Sequence, residues 1–450
     1  MTLQKRLADI VGAPHVLTAP ADTKPYTTDW RRQYSAPAEC VVRPASTAEV
    51  ARVVALCARE EVAVVPQGGN TGLVGGSVPT GTCREIVLAL GRMNRILALD
   101  PLNDTVTAEA GCVLAAVQSA AAAAGRLFPL SLAAEGSCQI GGNLSTNAGG
   151  VNVLRYGSAR EQVLGLEVVL PDGRVWNGLR ALRKDNTGYD LKQLFLGAEG
   201  TLGVITAAVL RLYPKPAASA TAWIALESPR DAVELLARLR EQLGERICAF
   251  ELVSRTCLEA VLAHVPGVRD PLVAAHPWYV LAEFADSGAT PLNEAVQQAL
   301  AGREAALAQS GEQARSLWRI RESIPEAQFS NVKHDISVPV SSIPEFTEIA
   351  GKALRQAFPQ SHLYCFGHVG DGNLHYNVGP ESLLARREAV NRIVYDAVAR
   401  LGGSISAEHG LGQLKREAIR AHKDPLEMEL MRALKTTLDP KGLMNPGKVL

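Results

Sequence analysis

The chain has 450 residues, of which 47% are hydrophobic, and its 46 Lys and Arg residues balance 46 Asp and Glu residues. This length and composition are typical of a globular protein of two or three domains. The balanced charge disfavours nucleic acid and anionic membrane surfaces as partners, because binding to both scales with the cations that a protein presents.

Other segments and residue classes narrow the protein class further. The most alanine-rich apolar stretch, residues 113–125, is shorter than the roughly 20 residues that cross a bilayer, so no membrane span is predicted. Residues 1–12 lack the pattern of a secretory or transit signal, and we therefore expect a cytoplasmic location. The eight cysteines are dispersed without a C-x-x-C pair, which disfavours iron–sulfur clusters and cysteine-ligated zinc.

Helices and strands alternate along the first half of the chain. Ser46 and Glu49 form a capping pattern at the start of the first predicted helix. A Pro-Asp-Gly turn at 171–173 predicts a hairpin between two of the strands, and the prolines at 214 and 216 mark a domain boundary. Helices are predicted over residues 46–60 and 115–124, and strands over 62–65, 163–170, 174–176 and 200–212.

Beyond the proline pair, long helical patterns alternate with strands, which predicts a second α/β unit. Its predicted helices include 230–243 and 292–309, with a strand over 278–284 between them.

Glycine is concentrated in two segments of the first half. Five glycines fall in Pro66–Gly76 and five more in Gly136–Gly150. The loops G-x-G-x-x-G and G-x-x-x-x-G-K-[ST] are absent, which excludes the usual dinucleotide and P-loop signatures. Consecutive glycines leave backbone N–H groups free to converge on an anion such as a pyrophosphate, and a tight structural turn is the alternative. The second segment adds hydroxyl and amide groups that can bind phosphate or ring atoms.

The second half contains a candidate metal site. Residues 367–378 are predicted to form a strand, a glycine turn and a returning strand, so that His368 and His375 face one another. Glu408 supplies a carboxylate, and two imidazoles with one carboxylate form an open divalent-metal site. Buried histidines bonded only to backbone are the alternative. In extended backbone Glu408 and His409 point to opposite sides, so one can bind a metal while the other faces a reacting group.

An arginine is predicted to point inward from a helix. Leu317, Trp318 and Arg321 fall on one helical face, so Arg321 points with the apolar residues. An unpaired inward cation is costly, which suggests a carboxylate partner. Alternatively, the arginine stem covers apolar surface and its head stays in water.

The glycine segments and the motifs that follow them resemble flavoproteins of the vanillyl-alcohol-oxidase/p-cresol-methylhydroxylase type. The resemblance implies an α+β fold, in which a two-subdomain FAD-binding domain precedes an α/β substrate domain. On this basis the FAD-binding domain spans 1–215, the substrate and metal-binding domain spans 216–437, and a tail over 438–450 returns to the FAD domain. The motifs lie at 66–76, 141–157, 184–191 and 196–206.

The same resemblance implies which residues contact FAD. Its pyrophosphate is expected on residues 68–71, and the tail brings Asn445 near the flavin. The expected FAD-binding residues are Pro66, Gln67, Gly68, Gly69, Asn70, Thr71, Gly72, Ser131, Gly136, Ser137, Gly141, Asn143, Ser145, Thr146, Gly200, Ile205 and Asn445.

The second half is similar to the FAD-linked 2-hydroxy-acid dehydrogenases. It is most similar to those that oxidise D-2-hydroxyglutarate, with D-lactate and glycolate dehydrogenases as near relatives. The resemblance implies that the protein binds zinc or another divalent ion such as Mn²⁺ or Co²⁺. The residues it implies are His368, His375 and Glu408 for the metal, His409 as general base, and Arg321, Lys333 and Asn377 for the substrate.

The resemblance also leaves open points. Pro325 stands where some hydroxyglutarate-oxidising enzymes carry a hydroxyl residue, which leaves the number of contacts to a second carboxylate open. An external acceptor, such as an electron-transfer flavoprotein or a quinone-linked carrier, and a homodimer are expected. A metal-dependent hydrolase and a non-catalytic flavin- or metal-binding scaffold are the alternatives from other classes.

We predict that FAD is bound without a covalent bond, because Asn70 occupies the loop position where covalent members of the superfamily carry a histidine. Acid precipitation should therefore release the yellow flavin into the supernatant. A protein pellet that stays yellow would contradict this prediction.

Overall fold

The computed structural model describes residues 1–288, 291–328 and 330–450. The strands are β1 (Val16–Leu17), β2 (Val41–Val42), β3 (Ala63–Gln67), β4 (Glu85–Ala89), β5 (Ile96–Asp100), β6 (Thr105–Glu109), β7 (Arg126–Leu127), β8 (Val163–Val169), β9 (Val175–Gly178), β10 (Val204–Arg211), β11 (Tyr213–Pro214), β12 (Ala218–Leu226), β13 (Ile247–Ser254), β14 (Trp278–Asp286), β15 (Ala305–Leu307), β16 (Asp335–Ser337), β17 (His362–His368) and β18 (Asn373–Gly379).

The α-helices are α1 (Leu3–Val11), α2 (Pro20–Thr27), α3 (Thr47–Glu60), α4 (Leu114–Ala123), α5 (Ile140–Ser145), α6 (Val153–Tyr156), α7 (Pro229–Leu243), α8 (Arg255–His264), α9 (Leu292–Ala299), α10 (Gly311–Ala327), α11 (Ile343–Ala357), α12 (Arg387–Arg400), α13 (Arg416–His422) and α14 (Pro425–Leu438). Within the described ranges, none of these helices has the length and apolar character needed to span a membrane.

The first compact unit comprises residues 1–148, 158–215 and 409–450. One of its sheets has the strand order β1-β2-β4-β3, in which β4 runs parallel to both β2 and β3. Helix α3 packs against β3 and begins with the predicted cap, since the Ser46 hydroxyl accepts a hydrogen bond from the Glu49 N–H. The carboxylate of Glu49 in turn accepts one from the Ala45 N–H, so both ends of the cap are satisfied.

A second sheet of this unit is antiparallel throughout, with the order β5-β6-β10-β8-β9. The predicted hairpin joins β8 to β9, and the Leu170 N–H donates to the Arg174 carbonyl across its turn. Gly173 has φ +90°, a conformation that residues with a side chain rarely adopt, which explains the glycine at this position.

The end of the chain adds to the first sheet. Leu443 and Asn445 lie beside Val64 of β3, which donates its N–H to the Leu443 carbonyl and accepts one from the Asn445 N–H, both at 2.8 Å. The Asn445 side-chain amide donates to the carbonyls of Gly76 and Glu199 at 3.0 and 2.7 Å. The tail is therefore docked by buried hydrogen bonds rather than frayed.

The second compact unit comprises residues 149–157 and 216–408. Its seven-stranded sheet is antiparallel, with the order β15-β12-β14-β13-β17-β18-β16. Trp223 and Tyr279 are fully buried on neighbouring strands, with ring centroids 5.4 Å apart. They form a core with residues of α8 and α10, which pack against this sheet.

The predicted helix over 292–309 is wrong in its second half. Helix α9 ends at Ala299, Gly302 turns the chain at φ +82°, and β15 then pairs with β12 through Ala306 opposite Trp223. Small apolar residues after a glycine turn satisfy their backbone better as a short edge strand than as an unsupported helix extension.

The compact units differ from the predicted domain limits in two segments. The chain divides after Lys215, where the proline pair suggested a boundary, but residues 149–157 group with the second unit. The return to the first unit begins at residue 409, whereas the sequence interpretation began it at 438. One cause is the carboxylate of Glu199, which accepts the N–H groups of Leu411 and Gly412 and ties that turn to the first unit.

The two glycine segments lie against one another in the first unit. A Cβ built on Gly69 would overlap the carbonyl oxygen of Ser137, and one built on Gly68 would lie 3.4 Å from the Gln139 Cβ. Only glycine permits this approach of the two backbones at position 69.

We predict that Gly69→Ala destabilises the first unit by about 1–3 kcal/mol and weakens FAD binding, because the added methyl group forces the two segments apart. Urea unfolding of the flavin-free protein and a flavin titration measure the two effects. Gly72→Ala is the matched control for the unfolding measurement, since a Cβ there has no atom within 4 Å. Unfolding of Gly69→Ala at the wild-type urea concentration, with unchanged FAD affinity, would contradict the prediction.

Candidate active site and metal centre

The expected FAD-binding residues come from separate parts of the first unit. Pro66 and Gln67 end β3, and the glycine loop follows them; Gly141, Asn143 and Ser145 lie in α5, and Ile205 lies in β10. Contacts join several of these segments, since a Cβ built on Gly200 would lie 3.2 Å from the Pro66 side chain, and the Gly68–Gly69 pair touches residues 137–142. The fold thus brings the loop after β3, the segment before β10 and the start of α5 together.

Buried amide oxygens in this unit are available to a ligand. Gln139 Oε1, Asn143 Oδ1 and Asn445 Oδ1 are buried and accept no hydrogen bond from the residues that the structure describes. A buried acceptor without a donor is unfavourable by about 1–3 kcal/mol. A ligand with several N–H and O–H donors, as FAD has, would satisfy such groups.

Two side chains expected to contact FAD are bonded to the protein itself. The Gln67 amide donates to the carbonyls of Tyr26 and Ser77 at 2.8 and 2.7 Å. The Asn70 amide donates to the Thr28 carbonyl at 2.9 Å, and its oxygen accepts from the Ser77 hydroxyl. Asn70 also has φ +53°, a left-handed conformation that asparagine adopts more readily than most residues, so its side chain shapes the loop.

Glu199 lies within the motif at 196–206, and no role was predicted for it from the sequence. Glu199 is buried, and its carboxylate accepts the N–H groups of Leu411 and Gly412 at 2.7 and 2.8 Å. Burial raises the pKa of this carboxyl group, although the two backbone donors oppose the shift. An acid next to Gly200 in an otherwise apolar motif was the available signal.

The three predicted metal ligands come together in the second unit. The pairing of β17 with β18 brings the two histidines to the same face of the sheet. His375 lies opposite Phe366, and His368, two residues after Phe366, is on the same face as Phe366. Ligand atoms of His368, His375 and Glu408 all lie within 4.8 Å of one another. The Nε2 atoms of His368 and His375 are 3.5 and 3.6 Å from the two carboxylate oxygens of Glu408.

Backbone and carboxylate contacts orient Glu408. Its Oε1 accepts the Gly150 N–H at 2.8 Å, and its own N–H donates to Asp335 Oδ2 at 3.1 Å. Asp335 is buried and also accepts from the Asn373 amide. A donor set of two imidazoles and one carboxylate suits zinc in a catalytic site.

Sequence reasoning missed Glu251, which connects two of the predicted site residues. This residue of β13 is fully buried, and its Oε1 lies 2.5 Å from His368 Nδ1 while its Oε2 accepts from Arg321 Nε at 2.6 Å. Burial alone raises the pKa of Glu251, but His368 and Arg321 outweigh it and the pKa is lowered. Burial likewise disfavours the imidazolium of His368, yet Glu251 and Glu408 raise its pKa. A single acid within the apolar strand sequence of β13 was the signal for such a pair.

The predicted inward direction of Arg321 is confirmed, since this residue of α10 is buried. The carboxylate that pairs with it is Glu251 of the protein itself, which the sequence interpretation did not identify. The guanidinium also lies over the Phe366 ring, 4.9 Å from its centroid. Trp318 points the same way and donates its indole N–H to Glu283 at 2.6 Å, so two carboxylates of the sheet hold α10.

Lys333 and Asn377 were predicted to contact the substrate. The ammonium group of Lys333 donates to the Pro325 carbonyl at 3.2 Å. Asn377 is buried, donates to Gln328 Oε1 and accepts the His334 N–H, both at 3.2 Å.

The expectation of extended backbone at Glu408 and His409 is wrong, because residues 407–409 form a bend. The alternation argument for their two directions therefore does not apply. His409 is the first residue of the final segment of the first unit, immediately before the turn that Glu199 holds.

Comparison with known proteins identifies the family. The sequence profile of a family described as "FAD linked oxidases, C-terminal domain" matches residues 215–449, and one described as "FAD binding domain" matches 38–178. A Bos taurus protein named "D-2-hydroxyglutarate dehydrogenase, mitochondrial" is 42% identical, with 97% of this chain and 81% of that protein covered. A Xanthomonas citri protein named "D-2-hydroxyglutarate dehydrogenase" is 40% identical, with 98% and 96% covered.

Solved structures share the fold. Substrate-bound p-cresol methylhydroxylase superposes with a TM-score of 0.78 at 17% identity, covering 99% of this chain and 96% of that one. Alkyldihydroxyacetonephosphate synthase gives 0.74 at 18% identity, covering 99% and 85%. These likenesses confirm the predicted fold class.

The predicted cytoplasmic location is corrected by the same comparison. Relatives from Bos taurus, Arabidopsis thaliana and Danio rerio are named mitochondrial, whereas the name of the Xanthomonas relative gives no compartment. The prediction rested only on the lack of a secretory or transit signal pattern in residues 1–12.

One family profile covers more than half of the chain, and relatives over nearly its whole length are 39–42% identical. The resemblance to FAD-linked 2-hydroxy-acid dehydrogenases is thereby confirmed, and residues 38–178 form an FAD-binding domain. The chain belongs to the FAD-linked oxidases.

Proposed function

We propose that the protein is a FAD- and divalent-metal-dependent dehydrogenase that oxidises D-2-hydroxyglutarate to 2-oxoglutarate. The observation that carries the proposal is the cluster of His368, His375 and Glu408. The carboxylate of Glu251 contacts both His368 of this cluster and the buried Arg321. An open metal site suits a 2-hydroxy carboxylate, and a guanidinium suits a second carboxylate. The names of the full-length relatives agree with this substrate.

His368, His375 and Glu408 would hold the metal, with zinc as the first choice and Mn²⁺ or Co²⁺ as alternatives. When bound, a divalent cation supplies Lewis acidity that lowers the pKa of a coordinated hydroxyl group. FAD supplies the hydride acceptor, its N5 atom. The first unit, with the loop after β3 and the N-terminal part of α5, would hold the FAD.

The protein supplies the base and the substrate contacts. His409 would take the proton of the substrate hydroxyl, while Lys333 and Asn377 would contact the substrate. Arg321 would bind the distal carboxylate through Nη1 and Nη2. Glu251 accepts a hydrogen bond from Nε alone, and the two Nη atoms make no hydrogen bond within residues 1–288, 291–328 and 330–450.

Electrons must then leave the reduced flavin. The eight cysteines are unpaired thiols, seven of them buried, and their dispersal in the sequence offers no iron–sulfur site. We therefore expect a separate acceptor, an electron-transfer flavoprotein or a quinone-linked carrier. A homodimer belongs to the same proposal.

Anaerobic reduction across a panel of D- and L-2-hydroxy acids tests the function. D-2-hydroxyglutarate should bleach the flavin faster than D-lactate or glycolate, and its L-enantiomer should not. EDTA should abolish the bleaching, and added zinc should restore it. Preference for D-lactate would assign the related activity, and a colourless protein that FAD cannot reconstitute would favour a metal-dependent hydrolase.

Arg321→Ala should raise the KM for D-2-hydroxyglutarate by about 10- to 100-fold, because a charge-assisted hydrogen bond contributes roughly 1.5–3 kcal/mol. The KM for D-lactate, which lacks a distal carboxylate, should change far less. Arg315→Ala, on an exposed position of the same helix, is the control. Equal effects of Arg321→Ala on both substrates would refute the assignment.

A further inference from the structure

The two oxygens of the buried Glu251 carboxylate contact different residues of the candidate site, His368 and Arg321. Strand β13, which carries Glu251, lies between β14 and β17 in the sheet, and Glu251 is opposite His368 in the register. Opposed residues on antiparallel strands point to the same face, so the strand pairing itself brings this carboxylate to the histidine. The side chain of Glu251 has no exposed surface, so no water competes for either oxygen.

The contact with His368 determines how the imidazole can act. With its Nδ1–H donating to Glu251, the neutral ring keeps its lone pair on Nε2, the nitrogen that faces Glu408 at 3.5 Å. A carboxylate behind a histidine ligand fixes the ring tautomer and orientation and makes the ring a stronger donor to a metal.

The contact with Glu251 also fixes the position of the Arg321 guanidinium. Glu251 accepts from the Nε atom of the guanidinium, and the guanidinium lies over the Phe366 ring. Glu251 thus occupies Nε, and the Nη1 and Nη2 atoms, which make no hydrogen bond among the described residues, can bind a carboxylate in a bidentate manner.

We propose that Glu251 is a positioning residue that couples metal affinity to recognition of the distal carboxylate. The inference rests on the proposed function, since it assigns a role toward the metal and the dicarboxylic substrate. One carboxylate holds His368 and Arg321 at once, so a change in Glu251 alters both metal binding and the preference for dicarboxylic substrates.

Glu251→Gln tests the proposal, because a side-chain amide offers one acceptor oxygen where two N–H donors need one each. The zinc Kd of the metal-free, FAD-bound protein, measured by competition with a chromophoric chelator, should rise about 10- to 100-fold. The visible spectrum of the Co²⁺-loaded protein should change as well, since it reports the ligand geometry. The ratio of KM for D-2-hydroxyglutarate to KM for D-lactate should increase.

Glu283→Gln is the matched control. Glu283, on the neighbouring strand β14, accepts a hydrogen bond from Trp318 of α10 and makes no hydrogen bond or ion pair with His368 in the described part of the chain. Its substitution should leave the zinc Kd and the Co²⁺ spectrum unchanged. An equal loss of zinc affinity in both variants would overturn the proposal, because it would reflect general loosening of the sheet.

Separate outcomes identify which claim fails. Wild-type protein that binds no zinc would overturn both the metal dependence and the role of Glu251. Wild-type protein that binds zinc, with Glu251→Gln binding it equally well, would overturn the role of Glu251 alone. If Glu251→Gln does not fold, the double variant Glu251→Gln/Arg321→Met removes both buried charges, and its zinc Kd should still exceed that of Arg321→Met.

Discussion

A carboxylate that is buried away from water needs hydrogen-bond donors for its oxygens. Glu251 of β13 receives them from a residue of β17 and a residue of α10. Its position in β13, the central strand of the seven, leaves it no route to water. Only a nitrogen donor on each oxygen compensates for the lost hydration. His368 and Arg321 supply these donors.

The same requirement explains how α10 is attached. Besides its apolar residues, this helix presents Trp318 and Arg321 to the carboxylates of Glu283 and Glu251. Directional bonds at two points set the rotation and height of the helix on the sheet more narrowly than apolar packing alone. These two hydrogen bonds therefore both attach the helix to the sheet and fix the position of the Arg321 guanidinium.

In the first unit, close approach of backbone is the dominant constraint. Gly69 must lack a side chain for the loop after β3 to lie against Ser137, and the tail must dock for Asn445 to bond the carbonyls of Gly76 and Glu199. Several buried amide oxygens of this unit accept no hydrogen bond from the described residues, and such acceptors suit an FAD-binding domain.

Local sequence was sufficient for features governed by near neighbours. The cap of α3, the hairpin after β8 and the inward direction of Arg321 all follow from periodicity and turn chemistry, which act over a few residues. The resemblance predicted the FAD-binding fold, and the histidine motif at 367–378 together with Glu408 predicted the cluster of possible metal ligands. The sequence-based helix over 292–309 failed because Gly302 and pairing with β12 outweighed local propensity.

The sequence by itself therefore determined most of the elements, the family, and the glycine and histidine residues on which the predicted FAD and metal sites rest. Only the tertiary structure decided which buried charges meet, because Glu251, Arg321 and His368 are separated by 70 and 117 residues, and their contact depends on strand register and helix docking. The tertiary structure also decided that the Glu199 carboxylate binds the N–H groups of the turn after His409. Every residue except proline has a backbone N–H, so the sequence does not indicate which acceptor a given N–H will bind.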